Sequence, residues 1–191
     1  MRSFTLPKFN FPKTKASFKE GFNQLSQGGF QKIFNQIDQL GIKKGVDKNG
    51  IDKFINQCAF MAAGSGAVTG AGGLASMFIG VPLDMINLIT QQFRVTLAIS
   101  YHNTGTYKIR FNDFFKIVAS SLKVDAGMAV SKNVMEEVAQ KLLLNLGSRT
   151  TRRLVPVVGA VIGASANYLF IKRIADNLRE VQPDGKVIKI N

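Results

Sequence analysis

Residues 62–76, AAGSGAVTGAGGLAS, constrain the fold of this chain more than any other stretch, because 13 of the 15 are Ala, Gly, Ser or Thr. They lie inside an uncharged run, 54–83, and a second uncharged segment, 154–171, repeats one of their hexads. Gly66-Ala67-Val68-Thr69-Gly70-Ala71 and Gly159-Ala160-Val161-Ile162-Gly163-Ala164 agree at five of six positions. Small residues spaced four apart let two helix backbones approach closely, as helices do in lipid or in a tight bundle. Ala63, Ala67, Ala71 and Ala75 share one helical face with Gly66 and Gly70 beside it, and Gly159, Gly163 and Asn167 form the matching row. An interior glycine costs a helix about 1 kcal/mol relative to alanine. So many glycines must be offset by close packing or by an apolar medium, and contact between the two rows is the expected use. A nucleotide loop at residues 64–70 is the weaker alternative. No strand pattern precedes it, no lysine follows its glycines, and the next carboxylate, Asp84, falls inside a new helix.

The rest of the chain reads as helix. Phe30, Ile33, Phe34 and Ile37 mark a short amphipathic helix after a break at Gln27-Gly28-Gly29. Residues 43–50, KKGVDKNG, read as a loop by their Gly, Asn and Asp content. Pro82 opens a long helix to about Tyr101, followed by a connector over 102–110. Asn112 is the expected cap of a helix that buries Phe114, Phe115, Val118, Ala119 and Leu122, with Phe111 as its staple. A further helix is expected over 125–146, ended by Gly147, and a last one from about Pro156 to Val181. Strand alternation is poor throughout. The expected fold is all-α, a single compact multi-helix bundle of roughly six to eight helices with Gly/Ala-rich, closely packed central helices. Residues 1–15 read as an extended arm because Pro7 and Pro12 forbid a regular helix; 16–182 form the helical domain and 183–191 a tail.

Charge is the second strong signal. The chain carries 25 Lys+Arg against 12 Asp+Glu, a net +13, and the excess lies largely at its two ends. Such a field favours an anionic partner: phospholipid headgroups, nucleic acid or an acidic protein. In the arm, Phe4, Phe9 and Phe11 alternate with Lys8, Lys13 and Lys15; Arg149, Arg152 and Arg153 form a second basic cluster. These nine are the candidate contacts to a membrane or a partner. The arm has no apolar core of a secretory signal, which predicts retention in the cytoplasm. Segment 154–171 is barely long enough to span a bilayer, and basic residues flank both its ends. Nucleic acid is a possible but less favoured partner, since Lys and Arg are not massed on one predicted helix.

Chemistry-bearing groups are sparse. The single His102 is expected in a loop and the single Cys58 on a core face, with no metal-ligand spacing and no nucleophile grouping. No cofactor and no metal are expected. The sharpest polar constellation is Asp84, Asn87, Gln91 and Arg94, which fall on one face of the long helix. A solvent-facing stripe is the ordinary explanation. The alternative is a buried polar seam to which Asn167 adds an amide, which is also the only arrangement from which an enzymatic pocket could be built.

Three blocks together, GSGAVTGAGG, VPLDMINLITQQFRVTLAISYHNTG and LVPVVGAVIGASANY, resemble the EcsC protein family in content and order, over about residues 50–173. The family's recurring positions would fall on Gly70, Gly73, Asp84, Arg94, Tyr101, Pro156, Gly159, Gly163 and Asn167. That resemblance adds Gly73 to the helix-packing glycines. The turn after Tyr101 is longer than the family's usual Tyr-Gly. The resemblance implies a helical protein without established enzymatic activity and with suspected membrane association. Taken together, the sequence leads us to expect a non-enzymatic, bacterial-type helical protein. It would sit peripherally on the cytoplasmic face of an anionic membrane, or on a membrane protein there.

Overall fold

A computed structural model describes residues 23–64, 83–127, 129–150 and 156–181, and the side chains of 23–64, 85–127, 129–142 and 167–180. Among the described residues every regular element is helical: α1 (Phe30–Asn35), α2 (Gln39–Asn49), α3 (Ile51–Ala63), α4 (Leu83–Thr104), α5 (Phe111–Ser121), α6 (Lys132–Thr150) and α7 (Pro156–Val181). They pack together, so the all-α expectation is met. The arm, its Phe4, Lys8, Phe9, Phe11, Lys13 and Lys15, and the glycines Gly66, Gly70 and Gly73 lie outside the described residues, as do Arg152 and Arg153. Gly159 and Gly163 fall within α7, and Arg149 in the last turn of α6.

The chain enters through a wide helical turn, Leu25–Gly29, broken where Gly28 takes φ +104, at the break the sequence indicates. Phe30, Ile33 and Phe34 then turn inward from α1. The expected loop at 43–50 is instead the body of α2. Asp38 caps the helix by accepting from the Gly41 N–H at 2.9 Å, which overrides the weak propensity of its glycines. Ile42 and Val46, one turn apart, supply the buried face, and Lys43 pairs with Asp47 along the outside. Gly50 closes the helix at φ +78. Within α2, Gly45 faces Phe54 of α3 so closely that an added Cβ would stand 2.8 Å from the ring. Gly45→Ala is therefore expected to lower stability by about 1 kcal/mol, although alanine is the better helix former. A denaturant melt showing a gain instead would mean that Phe54 moves aside at little cost.

The long helix α4 is the axis of the molecule. Its Ile86, Leu88, Ile89, Phe93, Val95, Leu97 and Ile99 are buried, and α1, α2, α3, α5 and α7 all pack on it. A helix apolar on nearly every side belongs at the centre of a bundle. Where α1, α4 and α5 meet, six phenylalanines interlock. Phe93 packs against Phe114 at 4.8 Å and Phe30 at 6.1 Å, Phe30 against Phe115 at 5.1 Å, and Phe34 against Phe114 at 4.7 Å. Phe111 completes the cluster against Phe34 and Phe115.

Two helix boundaries differ from expectation. Asn112 is not a cap: α5 begins at Phe111, with Arg110 in extended conformation before it and no side-chain cap bond. Its start is held by Gln39 of α2, which accepts from the Ile109 N–H at 3.0 Å and donates back to the Ile109 carbonyl. Nor does a helix run from Asp125. The Asp125 carboxylate accepts from the Gly127 N–H, Gly127 takes φ +55, and α6 starts only after Ser131, whose hydroxyl accepts from the Val134 N–H. Gly147 does not end α6, which continues to Thr150. The carbonyls of the last residue of α5 and of the two residues that follow it are met from two sides. Lys141 of α6 donates to Leu122 and Lys123, and Asn177 of α7 donates to Ser121.

Candidate functional site

The last turn of α3 leaves carbonyls that its own backbone cannot satisfy. Three amide or guanidinium side chains from two other helices converge on that turn. Asn87 of α4 donates to the Met61 carbonyl at 2.8 Å, and Asn167 of α7 donates to the Ala62 carbonyl at 3.2 Å. Gln91 donates to Asn87 Oδ1 at 3.1 Å, which fixes the Asn87 amide. Arg94 reaches Gln91 Oε1 at 3.4 Å and Met61 Sδ at 3.8 Å, with its guanidinium 5.5 Å from the centre of the Phe54 ring. A cation beside a helix C-terminus also complements the helix dipole.

The expected solvent-facing stripe is therefore overturned. Asn87 is 3 % and Gln91 6 % exposed, because the face they occupy is covered by α3. These amides act as a clasp that ties α3 to α4 and α7. Asn87, Gln91, Arg94 and Asn167 are brought together; the side chain of Asp84, the fifth member of the expected seam, lies outside the described residues. Since Asn167 bonds Ala62, the late uncharged segment meets the early one at the first residue of the small-residue stretch. The other face of α4 holds a side chain that sequence reasoning missed. Gln92 is 0 % exposed and neither polar atom of its amide has a hydrogen-bond partner. The only sequence signal was its place beside Gln91, which puts it about 100° away around the helix.

Neither lone chemistry-bearing residue forms a site. His102 sits not in a loop but in the last turn of α4, exposed. Cys58 is buried on α3, as expected, and burial pushes its thiol up to about 11, Arg94 pulling the other way. The thiol thus stays protonated in the fold where an unfolded chain ionises. The stability this contributes is present below pH 9 and declines as the pH rises toward 11. Because the thiolate is the attacking species, alkylation of the folded chain near pH 8 is expected to be about 100-fold slower than in denaturant. Equal rates would place Cys58 at the surface.

Elsewhere some of the charged groups pair on the outside. Tyr101 donates to Asp47 at 2.7 Å; Lys43 and Tyr101 together hold the Asp47 carboxyl below its usual range. Arg179 of α7 does the same for Asp52 of α3, at 2.5 Å. Among the described residues no cluster of His, Cys, Asp or Glu could hold a metal ion, and no helix is long and apolar enough to cross a membrane. Comparison with protein-family models, with curated proteins and with solved structures yields no match to this chain. The likeness to the EcsC family rests on the three sequence blocks alone.

Proposed function

We propose that this is an EcsC-like protein that acts by binding, peripherally, on the cytoplasmic face of an anionic membrane or on a membrane protein there. The charge balance carries this reading. With 25 Lys+Arg against 12 Asp+Glu, thirteen cations would remain even if every carboxylate paired with one. Both ends of the chain hold eight basic side chains, and each one near an anionic surface contributes about 1 kcal/mol. Phe4, Leu6, Phe9 and Phe11 in the arm supply apolar side chains that could follow the charge into the interface. The polar clasp supports binding over catalysis, because its amides are spent on backbone carbonyls and on each other.

Flotation of the full chain with vesicles tests this. Recovery is expected with vesicles rich in phosphatidylserine and not with phosphatidylcholine alone, and removal of residues 1–15 should weaken it. Equal recovery from both would remove the electrostatic step. Tighter, steeply salt-dependent association with random duplex DNA than with vesicles would move the same charge to a nucleic-acid partner.

A further inference from the structure

A single residue joins α2 to α3. Gly50 ends one helix and begins the other, at φ +78 and ψ 157. Before it stands Asn49, the last residue of α2, and no other asparagine in the chain is followed by glycine. That pair has a chemistry of its own. The backbone nitrogen after an asparagine can attack the side-chain amide carbon, and the residue that carries this nitrogen normally shields it with a Cβ. Glycine has none.

The reaction needs only water. Gly50 N bonds to Asn49 Cγ and loses its proton, the Nδ2 amide departs as ammonia, and a cyclic imide remains. Water then opens the ring. If the new bond between Gly50 N and Cγ breaks, position 49 becomes aspartate. If the original peptide bond breaks instead, the main chain runs through Cβ and Cγ and the residue is isoaspartate. In the closed fold both reactants are occupied. The Gly50 N–H donates to the Val46 carbonyl at 2.8 Å, and Asn49 Nδ2 donates to the Gly45 carbonyl at 3.1 Å. These are the last bonds of α2, and a helix end opens far more readily than a core. Asn49 is half-buried and Gly50 exposed, so releasing them strips no core residue; the first buried residue going back is Val46.

We infer that Asn49–Gly50 is a site of spontaneous deamidation, gated by the last turn of α2, and that the product unseats α2 from its neighbours. Isoaspartate adds a carbon to the main chain at the covalent joint between α2 and α3. Either product loses the donor on the Gly45 carbonyl and sets a carboxylate at a helix C-terminus, where the dipole opposes it. Two contacts of α2 depend on that joint. Gly45 sits against the Phe54 ring of α3 with no room for a Cβ, and Asp47 accepts from Tyr101 of α4 at 2.7 Å.

Peptide mapping by mass spectrometry tests this on the full chain, held at mildly alkaline pH where the attacking nitrogen loses its proton more readily. Conversion is expected at Asn49 ahead of every other asparagine. It should run about 30-fold slower in the folded chain than in the same chain unfolded by guanidinium, the factor for opening two hydrogen bonds of ordinary net strength. Urea below the unfolding transition should leave the folded rate unchanged, because opening one turn exposes little surface. Asn49→Gln, whose longer side chain would have to close a larger ring, should stay unconverted over the same period. The converted chain, separated by its added negative charge, should exchange amide hydrogens faster than the parent over 39–49 and at the parent's rate in the core of α4. A folded chain that stays intact well beyond that delay, or one whose rate climbs with urea in step with global unfolding, would overturn the gate. Earlier conversion of another asparagine would overturn the site, and unaltered exchange over 39–49 in the product would overturn the unseating of α2.

Discussion

Phe93→Ala is expected to destabilise the protein by about 3–5 kcal/mol, the usual cost of emptying a buried phenylalanine site. The size follows from position. Phe93 is fully buried on the central helix and touches Phe30 of α1 and Phe114 of α5, so its loss opens a cavity where three helices meet. Phe30 and Phe114 are themselves fully buried and packed on further rings, Phe115 and Phe34, so little of the void can be refilled by rotation alone. A domain of this size holds only about 5–15 kcal/mol in total. Urea melts of the variant should therefore show a much lower midpoint, and a loss below about 1 kcal/mol would mean that the cluster is not the centre of the core.

The second large effect has the opposite sign. Gln92 buries an amide whose nitrogen and oxygen both lack partners, a condition that costs about 1–3 kcal/mol. Gln92→Met keeps the length and helix propensity of the side chain while removing the unsatisfied groups, and is expected to raise stability by about that amount. Gln92→Glu should do the reverse, because a carboxylate there would be desolvated as well as unpaired. The same melts decide the point: a methionine variant less stable than the parent would show that the amide is satisfied in solution. Asn87, five residues earlier, is the internal control. Its amide is bonded to Met61 and Gln91, so replacing it with an apolar residue should destabilise.

These two residues also show what the sequence could and could not disclose. The faces of α1 and α5 were legible because their phenylalanines recur at helical spacing, and α7 because Pro156 sets its start. The loop expected over 43–50 failed for a definite reason. Composition favours a turn there, but one capping carboxylate, Asp38, and two core contacts, Ile42 and Val46, outweigh it. Asp125 misled in the other direction, since its carboxylate stabilises a tight turn at Gly127 rather than starting a helix. For the candidate site, spacing alone put Asn87, Gln91 and Arg94 on one face. Whether that face met water or protein depended on α3, whose terminal carbonyls draw the amides inward. Backbone acceptors have no sequence signature, so Met61 and Ala62 could not be named in advance. The exposure of Phe60 and Leu169, at 67 % and 54 %, was equally hidden, because an apolar side chain inside an uncharged run looks like core until its neighbours are placed.

Hydrogen exchange of the full chain, with and without phosphatidylserine vesicles, bears most directly on the proposed membrane binding. Protection is expected to rise in peptides from the basic arm, residues 1–15, and to stay unchanged in the buried core of α4. No gain in the arm while the protein floats with the vesicles would contradict the role given to it.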